Sequence, residues 1–330
     1  MSSGTDSAFR TLNIALGAAC AALLTCLGAP GAIAAPPELA ITIDDLPAHG
    51  PLGSGETRLG VAHGIIDSIK RNGLPPVYGF MNAEGEEEIP DELQVLKDWL
   101  KAGLPMGNHT WSHPDLHDVS AKSFNANIAR DEPLLRKLAG QTDWHWFRYP
   151  FLDEGQTPEK RQAVRTFLAQ RGYKIAWVTM DFGDWMWNDA YGRCAAHKDT
   201  AGVAALETSF LDAAGQNITY WRKMSAALYG RDIPYVLLLH IGAFDARMFD
   251  RLIALYRAQG FSFVTLEQAE SDPVYAPYLD PAKPSAYDSL ETAMDQRGLA
   301  LPLPEDFTKK LNGLCRTHIR SVSLRLPKAR

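Results

Sequence analysis

The chain has 330 residues, of which 46% are hydrophobic and 22% are charged, and its formal net charge is −6. This balance predicts a folded globular protein and excludes a largely disordered one. The acidic charge and the lack of a basic block argue against a nucleic-acid-binding protein. The length suits one large α/β domain or two small domains.

The first 35 residues have the pattern of a secretory signal peptide. Arg10 precedes an apolar stretch over 14–27, and Ala32-Ile33-Ala34 provides small residues for cleavage. We therefore expect residues 1–35 to be removed and the mature protein to be periplasmic or secreted, with no stable membrane insertion. An uncleaved membrane anchor is the alternative, because the positive region before the apolar stretch is thin.

The first element predicted in the mature chain is a strand over 39–44 that ends in two carboxylates, Asp44 and Asp45. The residues before them are almost all apolar, which is typical of a buried strand. Adjacent Asp residues after a strand commonly form a turn or cap a helix. They can also divide two tasks, because one can bind a metal ion while the other takes a proton from water.

Strand-like and helix-like segments alternate from here to residue 264. Helix start and stop signals are visible, for example an N-cap followed by proline at Thr157-Pro158. The alternation predicts an α/β fold, most simply a distorted (β/α) barrel with about seven parallel strands. Strands are expected over 39–44, 77–81, 105–108, 145–149, 174–180, 235–240 and 261–264, and helices over 57–72, 90–102, 120–139, 157–171, 201–228 and 244–259.

Two histidines, His109 and His113, follow the third predicted strand at a spacing of four residues. Pro114 disfavours a helical conformation at His113, so the pair is expected on a tight loop. One Asp and two His can hold Zn²⁺ and leave a position open for water, although such a pair alone can be a coincidence. The other histidines lack a comparable context and are interpreted as structural or exposed: His49, His63, His117, His145, His197 and His318.

The remaining candidates also lie at the ends of predicted strands, where (β/α) barrels have their active sites. Arg148 ends the fourth strand, and a buried guanidinium needs a carboxylate partner, which we expect to be Asp44. An ion pair with some other acid is the alternative. Asp181 and Asp184 follow the fifth strand, and His240 ends the sixth. His240 is a candidate general acid that Asp184 would keep protonated, although a lone histidine on an apolar strand is usually a core residue.

These motifs, in this order, resemble those of the polysaccharide deacetylases of the NodB-homology type, carbohydrate esterase family four, over roughly residues 39–267. Segment 42–45 is similar to T-F-D-D, 109–113 to H-[ST]-x-x-H, 148–151 to R-x-P-[YF], 181–185 to D-x-x-D-W and 238–240 to L-x-H. The resemblance implies a NodB-type barrel. It implies that Asp44 is the base and His240 the acid, with Arg148 and Asp184 as their respective partners. It also implies that Asp45, His109 and His113 bind one divalent metal ion. The substrate-binding residues that it implies are Phe151, Trp185 and Leu238.

The function implied by the resemblance is a metal-dependent hydrolase that removes N-acetyl groups from an acetylated glycan such as an N-acetylglucosamine polymer or oligomer, with removal of O-acetyl groups as the less favoured alternative. Zn²⁺ is the expected ion, with Co²⁺, Ni²⁺ and Fe²⁺ as alternatives. The sequence departs from the family pattern at Leu46, Leu152 and Ile241, which concern the pocket wall. The runner-up is a hydrolase of a cyclic imide or another small linear amide on the same fold. Non-haem iron oxygenases also use two His and one carboxylate, but their usual antiparallel barrel does not match this alternation.

The last part of the chain is rich in proline and poorly periodic. We expect residues 36–270 to form the catalytic domain and residues 271–330 to form an extension packed on the barrel, covering its open seam. Cys194 and Cys315 remain after signal removal, and a disulfide between them or two free buried thiols are both open. The sequence does not indicate an oligomeric state.

Overall fold

A parallel sheet of seven strands lies at the centre of the described residues, 36–84, 90–284 and 289–316 of a computed structural model. Every strand pair is parallel, which confirms the predicted α/β class and the curled (β/α) barrel. The strands are β1 (Glu38–Leu46), β2 (Tyr78–Met81), β3 (Met106–Asn108), β4 (Trp146–Phe147), β5 (Lys174–Ile175), β6 (Tyr235–His240) and β7 (Ser262–Phe263). Their order is β5-β4-β3-β2-β1-β6, and β7 pairs with the start of β1.

Helices pack around the sheet, and none of those in the described ranges is long and apolar enough to cross a membrane. The predicted signal peptide lies outside the described residues. The helices are α1 (Arg58–Arg71), α2 (Pro90–Lys101), α3 (Ala121–Ala139), α4 (Pro158–Gln170), α5 (Trp185–Ala196), α6 (Thr200–Tyr229), α7 (Ala243–Ala258), α8 (Leu266–Glu270), α9 (Ala276–Leu279), α10 (Leu290–Gln296) and α11 (Thr308–Gly313).

Local sequence signals account for the start of several helices. The side chains of Thr57, Ser120 and Thr157 each accept a hydrogen bond from the backbone N–H three residues later, as N-cap residues do. Helix α5 was not expected from the sequence, although its buried residues recur at helical spacing, at positions 187, 190, 191 and 194. The N-caps therefore set the positions at which the preceding loops end and these helices begin.

The fifth strand is shorter than the predicted 174–180. Only Lys174–Ile175 pairs with β4, and Met180 instead bridges Leu237 of β6. The amide of Leu238 donates to the Met180 carbonyl oxygen at 3.0 Å, so the chain crosses from one edge of the sheet to the other. The bend over 176–179 closes the barrel and releases the Ala176 carbonyl from strand pairing.

Residues 270–278, which follow β7 in the chain, cover this bend. The carboxylate of Glu270 accepts from the backbone N–H of Trp177 at 2.7 Å. The Trp177 ring stacks on Tyr278 with centroids 3.7 Å apart, and the hydroxyl of Tyr275 donates to the Pro234 carbonyl oxygen at 2.6 Å. The residues after 270 therefore contact the seam of the barrel, while the domain boundary at 270 stays a prediction.

Glu270 offers a test of this closure. Burial raises its pKa well above the usual range, so the side chain is a neutral acceptor for Trp177. We expect Glu270→Ala to lower the free energy of unfolding by about 1–3 kcal/mol, because a buried N–H loses its acceptor. Glu270→Gln retains the acceptor and should remain close to the parent in urea unfolding. Equal losses in the two variants would contradict the neutral-acceptor role.

A disulfide joins Cys194 in α5 to Cys315 just after α11. Of the two states left open by the sequence, the structure therefore has the bonded one. The bond spans 121 residues and ties the end of the described chain to the helix that begins at Trp185.

Candidate active site

The two carboxylates at the end of β1 face the same side because the strand is irregular there. In a regular strand, consecutive side chains point to opposite faces. The pairing of β1 with β2 shifts register between Ile43 and Leu46, and Asp45 has a left-handed backbone with φ 63°. As a result, Asp44 Oδ2 lies 3.7 Å and Asp45 Oδ1 lies 3.5 Å from Nε2 of His109.

Asp44 is buried and paired with Arg148, as the sequence predicted. One guanidinium nitrogen lies 3.1 Å from both Asp44 oxygens, and another contacts the Thr42 hydroxyl at 3.2 Å. The third, Nε, donates at 2.8 Å to the carbonyl oxygen of Ala176, which lies in the bend after β5. Burial raises the pKa of Asp44 to about 6, against the opposing charge of Arg148. Asp44 is therefore ionised near neutral pH but basic enough to accept a proton.

Asp45, His109 and His113 form a group that can hold one metal ion, with their ligand atoms within 4.8 Å of one another. The two histidines lie on a loop, as predicted, and His113 has a left-handed backbone with φ 51°. Asp45 Oδ1 is buried without a hydrogen-bond partner, 3.5 Å from Nε2 of both histidines. An orphaned carboxylate oxygen facing two imidazole nitrogens fits a divalent cation better than any other occupant.

The two imidazoles are prepared as ligands. Nδ1 of His109 donates to the Arg148 carbonyl oxygen at 2.8 Å, which leaves Nε2 unprotonated and facing Asp45. Burial lowers the pKa of both His109 and His113 to about 4, so both rings are neutral near pH 7. Neutral imidazole is the form that binds metal.

A second pair, His240 and Asp184, lies beside this group, with a ring nitrogen of His240 within 4.8 Å of an Asp45 oxygen. Nδ1 of His240 lies 2.9 Å from Asp184 Oδ1, and the backbone N–H of His240 donates to Oδ2 at 2.7 Å. Burial disfavours the charged ring, yet the charge and hydrogen bond of Asp184 raise the pKa of His240 to about 10. His240 is therefore protonated near neutral pH, as expected for a general acid, and its Nε2 is the nitrogen not engaged with Asp184.

Asp245 is a buried acid behind this pair that the sequence did not reveal. Its carboxyl hydrogen-bonds to that of Asp184 and accepts from Asn188 Nδ2 at 2.7 Å. Burial, and then the charge of Asp184, raise its pKa well above the usual range. Since two carboxyls can share a hydrogen bond only when one carries a proton, Asp245 is the protonated member. From the sequence alone, Asp245 is only an acidic residue in the first turn of a predicted helix, which is a common position for an acid.

This assignment predicts different outcomes for two substitutions at position 245. Asp245→Asn keeps a donor towards Asp184 and an acceptor for Asn188, so its kcat/KM should stay close to that of the parent. Asp245→Ala removes the donor and is expected to lower kcat/KM about tenfold, within the range found when such supporting partners are lost. Steady-state acetate release measures both. A severe loss in Asp245→Asn would show that Asp245 is ionised.

The site opens into a cavity of about 300 Å³, whose lining includes the three residues predicted to bind substrate. Phe151 and Trp185 are 62% and 47% exposed, and the Phe151 ring lies 4.6 Å from that of His113. Leu238 is buried in the wall. Asp181 also lines the cavity and accepts from the Gly183 amide at 2.7 Å. Eight of the ten residues predicted to form the site line this cavity, and the other two, Arg148 and Asp184, contact the lining residues Asp44 and His240.

His49 is the residue that the sequence interpretation misplaced. It was grouped with the structural or exposed histidines, but it lines the cavity and its Nδ1 lies 2.6 Å from Asp45 Oδ2. The turn after β1, closed by the Ala48 amide donating to the Asp45 carbonyl oxygen at 2.8 Å, returns the chain to the site. The spacing of four residues from Asp45 was the available signal.

Comparison with known proteins agrees with this geometry. The family model described as polysaccharide deacetylase matches residues 33–176, which include Asp44, Asp45, both loop histidines and Arg148. Over this part, which is less than half of its length, the chain is similar to the polysaccharide deacetylase family. An uncharacterised 30.6 kDa protein of Geobacillus stearothermophilus is 23% identical over 218 residues, 65% of this chain and 68% of that protein.

Two further proteins that are similar to this chain carry an activity in their names. The peptidoglycan-N-acetylglucosamine deacetylase of Bacillus cereus is 27% identical over 148 residues, 45% of this chain and 46% of its own length. The chain therefore spans less than half of that relative. The structure of the chitin deacetylase from Colletotrichum lindemuthianum has 20% sequence identity and a TM-score of 0.48, covering 72% of this chain and 88% of that chain.

Proposed function

We propose that this protein is a polysaccharide deacetylase, a metal-dependent hydrolase that removes N-acetyl groups from an acetylated glycan, with O-acetyl groups as the alternative. The observation that carries the proposal is that Asp45 Oδ1 is buried without a hydrogen-bond partner and faces two neutral imidazoles. Beside it lie Asp44, a carboxylate with a raised pKa, and the protonated ring of His240. A hydrolase of unactivated amides needs a base, an acid and a way to stabilise negative charge, and this cavity places candidates for each together.

Asp45, His109 and His113 would hold the ion, for which Zn²⁺ is the first choice and Co²⁺, Ni²⁺ or Fe²⁺ are alternatives. A divalent cation bound there would polarise the acetyl carbonyl and lower the pKa of a water molecule. Three protein ligands would leave a coordination position for water or substrate, as in other catalytic metal sites.

Asp44 would accept the proton of the attacking water. Arg148 holds both of its oxygens at 3.1 Å, and Thr42 and the Ala176 carbonyl fix the guanidinium in turn, so the base has one orientation. A pKa of about 6 lets Asp44 be mostly ionised at neutral pH and still basic enough to take a proton in the transition state.

His240 would protonate the departing amine through Nε2, because Asp184 occupies Nδ1. The backbone N–H of Phe151, in a turn with φ 56°, would donate to the oxyanion of the tetrahedral intermediate. Leu238 would contact the acetyl methyl, and the exposed face of Trp185 offers a stacking surface for a sugar ring.

The name of the Bacillus cereus relative supports an N-acetylglucosamine polymer or oligomer as the substrate. The Asp–His–His group, the base and the acid are all present, which speaks against a catalytically silent relative. We also propose a mature protein beginning near residue 36, with a catalytic domain to residue 270 and the extension after it, working in the periplasm or outside the cell. The Cys194–Cys315 disulfide supports an oxidising compartment.

The decisive experiment is acetate release from a panel of N-acetylglucosamine oligomers by the mature protein, first stripped with a chelator and then supplied with Zn²⁺. Zinc-restored release supports the proposal, and the preferred length begins to define the substrate. Zinc bound at one ion per chain without release from any oligomer would overturn the glycan substrate and direct attention to cyclic imides or small linear amides.

A further inference from the structure

We propose that His49 is a positioning residue that fixes Asp45 so that a single oxygen, Oδ1, faces the metal. This inference rests on the proposed metal-dependent function and extends it to a residue outside the Asp–His–His set. A carboxylate can bind a divalent ion through one oxygen or two, and the choice changes how many positions stay open for water and substrate. A group that occupies the second oxygen decides between these modes.

The two oxygens of Asp45 have separate partners. Oδ1 lies 3.5 Å from Nε2 of both His109 and His113 and accepts no hydrogen bond. Oδ2 lies 2.6 Å from His49 Nδ1, which makes it the oxygen held by the protein. Since a carboxylate can only accept, His49 is the donor, and its Nδ1 carries the proton.

His49 is itself anchored. Its backbone carbonyl oxygen accepts from Arg58 Nη1 at 3.1 Å, and the turn before it is closed by the Ala48 amide. Its ring packs against that of His240, with centroids 4.7 Å apart. The His49 side chain therefore lies in the wall of the cavity and contacts Oδ2 of Asp45, whereas the two loop histidines lie near Oδ1. Partners of this kind orient metal ligands, and their loss typically lowers metal affinity about 10- to 100-fold.

Direct metal binding by His49 is the competing role, because Asp45, His49 and His240 also have ligand atoms within 4.8 Å of one another. Two contacts favour positioning instead. His49 Nδ1 is taken by Asp45 Oδ2, and His240 is bound through Nδ1 to Asp184 and is protonated near neutral pH. A protonated imidazole does not bind a cation.

The test compares His49→Ala and His49→Asn in the mature protein, stripped of metal and titrated with Co²⁺ by calorimetry and visible absorption. The Asn side-chain amide places a donor close to the position of Nδ1, so it should restore the contact that Ala removes. His63→Ala is the matched control, because His63 also pairs with an aspartate, Asp98, at 2.8 Å, but it is exposed and does not line the cavity. Thermal unfolding of the metal-free proteins checks that each variant folds.

We expect one Co²⁺ per chain in every protein, with affinity about 10- to 100-fold weaker in His49→Ala. His49→Asn should recover most of that affinity together with the parental Co²⁺ absorption band, and His63→Ala should match the parent. Unchanged affinity and absorption in His49→Ala would overturn the positioning role, as would two ions per chain of which His49→Ala loses one. If the parent protein itself binds no Co²⁺ or Zn²⁺, the proposed metal-dependent function fails as well.

Discussion

Replacing Asp44 with Asn is expected to lower kcat/KM for deacetylation about 10²- to 10⁴-fold, the usual contribution of a positioned general base. The substitution removes the proton acceptor but keeps an oxygen for Arg148, which now contacts both Asp44 oxygens at 3.1 Å. Metal affinity should change little, because the metal-facing oxygen belongs to Asp45. Steady-state acetate release and the zinc content of the purified protein measure the two effects separately.

Asp45→Asn is the matched comparison, since it makes the same chemical change at the adjacent residue. It should lose metal and activity together, whereas Asp44→Asn should lose activity alone. If Asp44→Asn instead released zinc while Asp45→Asn retained it, the two carboxylates would have exchanged roles. Near-parental activity in Asp44→Asn would mean that another group takes the proton.

The broad architecture was predictable because it depends on local patterns. The apolar run before Asp44 gives a strand buried on both faces, and side chains such as Thr57 and Thr157 cap helices wherever the sequence places them. The convergence of strand-end residues followed from the parallel sheet itself. The pairing of Arg148 with Asp44 was predictable for a different reason, because a guanidinium in an apolar strand has few other ways to be satisfied.

The features that escaped prediction depend on contacts between distant segments. The early end of β5 results from Met180 pairing with β6 and from Glu270 accepting from Trp177, and neither partner is visible near 174–180. The proton on Asp245 depends on Asp184, which comes from another loop. Such contacts leave no periodic trace in the sequence.

The position of Asp45 shows the limit most clearly. A regular strand would have sent Asp44 and Asp45 to opposite faces, and only the register shift and the left-handed backbone at Asp45 turn both inward. The same turn brings His49 back to the site. The sequence therefore indicated the candidate catalytic and metal-binding residues. The contact between Asp45 and His49 depends on the irregular end of β1, which the sequence did not indicate.

Replacing His240 with Ala is expected to lower kcat/KM for an N-acetylglucosamine oligomer about 10²- to 10⁴-fold while zinc stays bound. An amine leaves poorly unless it is protonated, and His240 is the protonated group facing the metal ligands. An activated ester such as 4-nitrophenyl acetate has a leaving group that needs no proton. Its hydrolysis should therefore fall much less in the same variant, and the ratio of the two losses isolates the acid role.

His240→Asn makes this test sharper. In the parent protein, His240 Nδ1 lies 2.9 Å from the Asp184 carboxylate. The asparagine amide keeps an N–H donor for Asp184 but cannot act as an acid near neutral pH. It should reproduce the amide-selective loss with less disturbance of the buried acids than Ala causes. His145→Ala, at a partly exposed histidine beside Asp143 that does not line the cavity, should leave both activities unchanged. Equal losses on amide and ester would assign His240 to stabilising the oxyanion instead, and loss of zinc together with activity would place it among the metal ligands.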